Sequence, residues 1–204
     1  MATRIGKSRL EAFSDGVVAI IITIMVLELR APQGRTFADL GPLLPMLLSY
    51  ALSFTYVGIY WNNHNHLLRA TSSVNGLVMW ANLHLLFWLS LIPFATTWMD
   101  SSGFAREPVA AYGVILFLTA VAFKLLATLL VRHEGKRSSL AAALGRDWKT
   151  TVSLSAYGLA AGAAFLDPHL ALVIFVVVAG VWFIPDRRIT RAMHSVWPSS
   201  DTDP

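Results

Sequence analysis

The stretch RLEAFSDGVVAIIITIMVLEL occupies residues 9–29 and decides how the rest of the chain is interpreted. Charged residues and the triplet Phe13-Ser14-Asp15 stand at its beginning, and from Gly16 onward nearly every residue is apolar. A helix that crosses a bilayer needs about 20 mostly apolar residues. The run continues for about a full span and lacks a small-residue cleavage site after a short core. We therefore predict a retained membrane helix and not a removed signal peptide.

The composition of the whole chain agrees with a membrane protein. Of its 204 residues, 55% are hydrophobic and only 14% are charged, whereas soluble domains carry about 25% charged residues. The chain has no cysteine, which excludes disulfides, zinc–thiolate sites and a cysteine nucleophile. In a membrane protein, Lys and Arg in loops report orientation, so the small net charge of +4 does not indicate a nucleic-acid partner.

Six segments are apolar enough, and long or nearly long enough, to cross a bilayer. They are residues 12–30, 40–61, 77–99, 108–131, 150–166 and 168–185. The tight connection Asp167-Pro168 makes the last two an antiparallel hairpin. The predicted fold class is an all-α polytopic membrane protein with six transmembrane helices. Residues 1–190 form one domain, and residues 191–204 form a C-terminal tail that is disordered at its end.

The placement of positive charges predicts the orientation of these spans. If the N-terminus lies inside, twelve of the sixteen Lys and Arg residues fall on inner segments. The outer segments hold only Arg30, Arg35 and Arg106, and Lys124 lies within span four. The positive-inside rule then favours both termini in the cytoplasm. The predicted location is a plasma membrane, which the chain crosses several times.

The first span has distinct faces when it is drawn as a helix with about 100° per residue. Gly16, Ile20, Thr23, Ile24 and Leu27 share one stripe, and Asp15 lies well away from it. Two interpretations remain open on these residues alone. The polar start is either a cap at the membrane edge or a tie to other helices. The stripe is either packing surface or a functional face, and a lone threonine usually bonds back to its own helix.

A resemblance to a known family bears on this choice. Arg9-x-x-x-Phe13-Ser14-Asp15, followed by Gly16-Val17-x-Ala19-Ile20-x-x-Thr23, resembles the first-helix signature of the transmembrane protein 175 family of potassium channels. The likeness continues with Trp61-x-x-His64, Asn82 and Pro93-Phe94. It is strong over the first three spans, whereas the last three match in number and length.

The resemblance implies a homotetramer of six-span subunits in which the first helix of each subunit lines one central pore. Ile20, Ile24 and Leu27 would form hydrophobic rings that act as a gate. Thr23 would add a hydroxyl layer and, with Ile20, set selectivity. Arg9, Phe13, Ser14 and Asp15 would tie the first helix to neighbouring helices. The partners would be other copies of the chain, potassium ions and membrane lipids, with no cofactor, no metal and no catalytic residue.

Such a channel would select potassium without a carbonyl filter, because the chain contains no TVGYG-type sequence. A narrow apolar constriction forces an ion to shed water, and potassium holds its hydration shell less tightly than sodium. We expect modest selectivity from this barrier and a few hydroxyl or carbonyl oxygens. A closed state would pack the isoleucines together and dewet the pore.

The densest polar cluster is Trp61-Asn62-Asn63-His64-Asn65-His66. Two histidines at i and i+2 do not face one point on a helix, so a shared metal is not expected. The cluster is either an interfacial segment with an aromatic anchor or part of a buried hydrogen-bond network. That network would join Trp61 and His64 to Asp15 and Asn82, with His84 as a further candidate.

Two other function classes compete with a channel. A membrane metalloenzyme would use His64, His66, His84 and His133, but such enzymes need several ligands that converge on one point. A secondary transporter would show repeated halves with broken helices, and we find neither clearly.

Three further features have structural interpretations. Lys124 is expected to extend its side chain to the cytoplasmic interface. Gly158-x-x-x-Gly162 gives span five a small-residue face for helix packing. Arg187, Arg188 and Arg191 are expected to set topology and to contact anionic lipid.

Overall fold

The computed structural model describes residues 6–135, 138, 141 and 148–183, and all the regular structure in these ranges is helical. This confirms the predicted all-α class. The 3-10 helix Phe37–Leu43 precedes the second α-helix. The α-helices are α1 Lys7–Leu27, α2 Leu44–Arg69, α3 Gly76–Ser90, α4 Ile92–Ser101, α5 Arg106–Glu134, α6 Trp148–Ala163 and α7 Pro168–Phe183. The predicted tail 191–204 and the arginines at 187, 188 and 191 lie outside the described residues.

The predicted third span, 77–99, is interrupted and forms two helices. The break falls at Leu91, whose N–H bonds to the Trp88 carbonyl at 3.2 Å in a three-residue turn. Pro93 explains the break, since it has no N–H and its ring would clash with the carbonyl four residues earlier. The two helices together still form one segment long and apolar enough to span a membrane, Gly76–Ser101, in agreement with the predicted third span.

The helix ends follow local side-chain chemistry. Asn75 caps α3, because its side-chain oxygen accepts a 3.0 Å bond from the Val78 N–H. Asp167 caps α7 through a 2.9 Å bond from the His169 N–H. The pKa of the Asp167 carboxyl lies below its usual value, mainly because of this backbone bond. Gly135 ends α5 with φ of 96°, a conformation that favours glycine.

Within the described residues, four helical segments are long and apolar enough to cross a membrane: Lys7–Leu27, Phe37–Arg69, Gly76–Ser101 and Arg106–Glu134. Helices α6 and α7 have 16 residues each, which corresponds to about 24 Å against a hydrocarbon core of about 30 Å. Six spans therefore remain a prediction. The second predicted span ended too early, because α2 continues to Arg69 and carries the whole polar cluster on a helix.

Helix α5 lies at the centre of the subunit. It packs against α3 and α4 on one side and α6 and α7 on the other, whereas α1 packs against α2, α3 and α4. Neighbouring helices approach α5 closely at Gly113, where an added Cβ would lie 3.0 Å from Phe175 and 3.1 Å from the Ala161 Cβ. By contrast, Gly158 and Gly162 are exposed, and an added Cβ would meet nothing closer than 3.9 Å. Gly158 and Gly162 therefore do not lie at a close helix contact within the described part of the subunit, and their role in helix packing stays a prediction.

Candidate functional site

Helix α1 has one buried face and one face that the rest of the subunit leaves uncovered. The buried residues recur every three or four positions and pack towards α2, α3 and α4; they are Leu10, Ser14, Val18, Ile21 and Met25. On the opposite side, Ile20 is 59% exposed, Ile24 43% and Leu27 80%. Gly16 and Thr23 are also exposed. The stripe predicted to line a pore is therefore exposed on the surface of the subunit.

Thr23 is the polar member of this uncovered row. Its hydroxyl donates a 2.9 Å bond to the Ile20 carbonyl one turn earlier. This bond uses the hydroxyl hydrogen and leaves the oxygen lone pairs available on the exposed side. Back-bonding to the helix and an exposed acceptor oxygen therefore occur together in this residue.

A buried hydrogen-bond chain joins α1, α2 and α3. The Asn82 amide donates to the Ser14 hydroxyl at 2.9 Å, and Ser14 donates to the Leu10 carbonyl at 2.8 Å. Asn82 Oδ1 lies 2.6 Å from His64 Nε2. Because this amide oxygen is an acceptor, His64 Nε2 carries the hydrogen and donates it. All three side chains are buried, and the chain fixes the N-terminal half of α1 against its neighbours.

A second contact, separate from this hydrogen-bond chain, involves Asp15 of the Phe13-Ser14-Asp15 triplet. The Trp61 indole Nε1 donates a 2.9 Å bond to Asp15 Oδ1, and the pair is exposed. By helical phase Asp15 lies about 140° from Ile20, so its contact with α2 directs it away from the uncovered row.

The other signature residues are placed differently. Arg9 is exposed, and among the described residues no side-chain hydrogen bond or ion pair joins it to a partner. Phe13 is 51% exposed. Among the described residues, Ser14 and Asp15 form side-chain hydrogen bonds to other helices, whereas the same role for Arg9 and Phe13 stays a prediction.

His84 lies outside the buried chain as well. It is exposed and accepts a 2.8 Å bond from the Trp88 indole on its own helix. Among the described residues its side-chain hydrogen bond is therefore to its own helix and not to Asn82, so the structure gives no support to His84 as a further member of the network.

The histidines considered as metal ligands do not converge. His64 is buried and His66 is exposed on the same helix. His133 lies beside Ser73 and Asn75, at 3.1 and 3.2 Å. Within the described ranges no group of three or more His, Cys, Asp or Glu side chains is arranged to hold a metal ion.

One hydrogen-bonded group in the core was not found from the sequence. Ser53 bonds to Thr96 at 2.7 Å and to Tyr112 at 3.0 Å, which links α2, α4 and α5. These residues lie inside apolar runs, and a lone hydroxyl residue in such a run gives no sign of its partner. Lys124 was expected to reach the cytoplasmic interface, and its Nζ lies 3.4 Å from the Thr151 hydroxyl near the start of α6.

The fold and this site define a class: a helical membrane protein that fixes its first helix by buried polar contacts and leaves an apolar row of that helix uncovered. The sequence model of the family described as "Endosomal/lysosomal potassium channel TMEM175" matches residues 9–93. A protein of Chryseobacterium sp. (strain P1-3), described as a potassium channel, is 51% identical over 187 residues, which cover 92% of this chain and 97% of the relative. The chain belongs to the TMEM175 family, and the resemblance noted in the sequence is confirmed.

Two further similarities extend over most of the chain. A Streptomyces collinus protein described as a potassium channel is 29% identical over 177 residues, which cover 81% of this chain and 86% of that protein. The crystal structure of a lysosomal potassium-selective channel TMEM175 homolog from Chamaesiphon minutus matches with a TM-score of 0.76 and 25% identity. The match covers 89% of this chain and 97% of that chain. The fold is therefore shared well beyond the first three helices.

Proposed function

We propose that the protein is a homotetrameric, potassium-permeable channel of six-span subunits, with a pore lined by α1 of each subunit. The observation that carries this proposal is the uncovered row of Ile20, Ile24 and Leu27 opposite the buried face of α1. One helix cannot enclose a pore by itself. A closed ring of identical subunits would bring four such rows to one axis, and the relatives described as potassium channels support this arrangement.

In this proposal Ile20, Ile24 and Leu27 form the gate. Their apolar rings would close by expelling water from the constriction. Thr23 lies between them and would present its exposed hydroxyl oxygen to a partly dehydrated ion. Potassium passes more readily than sodium because it gives up its hydration shell at a lower cost. Thr23 and Ile20 together then determine selectivity.

The buried chain Ser14–Asn82–His64 and the Asp15–Trp61 contact have a different role. They hold the cytoplasmic half of α1 in a fixed rotation, with distances of 2.6 to 2.9 Å. A rotation by one residue would turn the row by about 100° and present other side chains to the axis. We assign these residues to positioning, and Ile20, Thr23, Ile24 and Leu27 to the ion path.

We further propose a plasma-membrane location with both termini in the cytoplasm, on the basis of the excess of Lys and Arg on the inner segments. Membrane lipids would then cover the outward faces of the bundle. The competing metalloenzyme hypothesis is not supported by the described histidines, which lie apart.

Passive potassium flux into liposomes tests the channel directly. We expect purified protein to carry potassium down its gradient, and Ile20→Ala to increase flux by widening the constriction. Val26→Ala is the matched control, because Val26 is also exposed but lies about 120° from Ile20. Thr23→Val should reduce the preference for potassium over sodium, and Thr23→Ser should retain it.

Three results would contradict the proposal. The first is an absence of flux at any imposed potential, together with stoichiometric bound metal. The second is an equal response to Ile20→Ala and Val26→Ala. The third is a monomer in mild detergent that remains active, since one α1 cannot form the pore.

A further inference from the structure

The uncovered row of α1 has a positive charge, Arg9, near its proposed cytoplasmic end. Arg9 lies eleven residues before Ile20, which places it about 20° from Ile20 around the helix and about 16 Å along it. Phe13 lies between them, about 20° to the other side. Arg9 is therefore in line with the residues assigned to the ion path.

The other charged residues of α1 are on the opposite side. Lys7 and Asp15 each lie about 140° from Ile20, and Glu11 lies about 180° away. Lys7 and Glu11 form an ion pair at 3.7 Å, and Asp15 accepts the bond from Trp61. Arg9 is the one charged residue of Lys7–Leu27 on the uncovered row, and no described side chain neutralises it.

We propose that four Arg9 guanidinium groups ring the cytoplasmic mouth of the pore and make potassium current rectify inward. This inference rests on the proposed function, since the ring exists only if α1 lines a fourfold pore. The ring lowers the local concentration of potassium at the inner mouth. Outward current depends on entry from that side, so the ring reduces outward current more than inward current.

Coulomb's law gives the size of the effect. A charge about 10 Å from the axis in water lowers monovalent cation occupancy by about twofold without screening. With Debye lengths of about 30 Å at 0.01 M salt and about 8 Å at 0.15 M, four charges lower occupancy by about sevenfold and about twofold, respectively. The rectification therefore has a predicted dependence on ionic strength.

The test records current–voltage curves from inside-out patches of bacterial spheroplasts that express the full chain, in which the orientation of the protein is fixed. In the wild type, we expect the ratio of inward to outward current at equal and opposite voltages to rise by about threefold when symmetric KCl falls from 0.15 M to 0.01 M. Arg9→Gln should abolish this rise and increase outward current. Arg9→Lys should keep it, because the charge is retained.

Lys7→Gln is the matched control, since it removes one positive charge from the same turn but from the buried side. It should leave the rectification ratio unchanged. A wild-type ratio that does not depend on salt overturns the proposal without any variant. A second result would also overturn it. If Arg9→Gln weakened the tetramer in mild detergent but its current in patches still rectified like the wild type, Arg9 would pair between subunits and would not form the charged ring.

The charged ring and the proposed pore fail on different results. A wild-type current that responds to Ile20→Ala, with a ratio insensitive to Arg9, overturns only the charged ring. If the wild-type chain carries no potassium current in these patches, both the proposed pore and the charged ring are overturned.

Discussion

Replacing Asn82 with leucine should destabilise the subunit, and the lost hydrogen bond to His64 should cost more than the lost bond to Ser14. Asn82 is fully buried and bonds to both side chains, at 2.6 Å and 2.9 Å. Leucine has the same number and branching of side-chain heavy atoms as asparagine, so among apolar residues it removes the hydrogen bonds with the least change in shape. After the change Ser14 still donates to the Leu10 carbonyl at 2.8 Å, whereas the His64 Nε2–H loses its acceptor.

The expected cost follows from this asymmetry. A buried donor without a partner costs about 1–3 kcal/mol, and the lost bond to Ser14 adds about 0.5–1.5 kcal/mol. Asn82→Leu should therefore lower the free energy of unfolding by about 2–4 kcal/mol. His64→Phe should also destabilise, because it leaves the Asn82 oxygen without its donor. In the double variant neither group is orphaned, so its cost should be smaller than the sum of the two by about 1–2 kcal/mol.

The assay is equilibrium unfolding in mixed detergent micelles, with increasing SDS, monitored by tryptophan fluorescence. Asn62→Leu is the control, since Asn62 is exposed on α2 and should change stability little. Additive costs in the double-mutant cycle would refute the reasoning, because they would mean that His64 and Asn82 do not interact. So would an Asn62→Leu variant that is destabilised as much as Asn82→Leu.

Three other predictions concern separate parts of the molecule. Asp15→Ala should impair tetramer assembly or channel opening but keep the ratio of potassium to sodium flux near that of the wild type, because Asp15 bonds to Trp61 and lies off the ion path. Normal assembly and opening with a large change in that flux ratio would contradict this prediction. Gly113→Ala should destabilise by about 1–3 kcal/mol through overpacking against Phe175 and Ala161, whereas Gly58→Ala, with nothing within 4 Å of the added Cβ, should be neutral or stabilising in thermal unfolding. Asp167→Ala should lower the thermal midpoint at neutral pH by removing the cap of α7. The pKa of this carboxyl is depressed, so its stabilisation is present above the unfolded pKa and disappears as pH falls through the folded pKa. The midpoints of the two proteins should therefore converge in acid.

The order of the helices and the faces of α1 could be predicted because both depend on local sequence. Apolar runs of bilayer length identify helices without any knowledge of their neighbours. The helical repeat then places Ile20, Ile24 and Leu27 on one side and Asp15 on another. The signature around Phe13-Ser14-Asp15 also carried the family resemblance, because it is contiguous in sequence. Helix ends were less certain, as the continuation of α2 to Arg69 shows.

The tertiary structure alone decided which helix meets which face. Asn82 and Ser14 are 68 positions apart, and no periodicity relates them. A row of isoleucines is equally compatible with lipid, a neighbouring helix or a pore, because lipid is as apolar as a protein core. Small residues illustrate the same limit. The sequence pattern indicated Gly158 and Gly162 and gave no sign of Gly113, which neighbouring helices approach closely within the subunit. What the sequence determined were the helices and the grouping of residues on their faces. Their partners depended on packing between helices that are distant in sequence. This packing left the α1 row uncovered, buried Ser14, and left Arg9, Phe13 and Asp15 exposed.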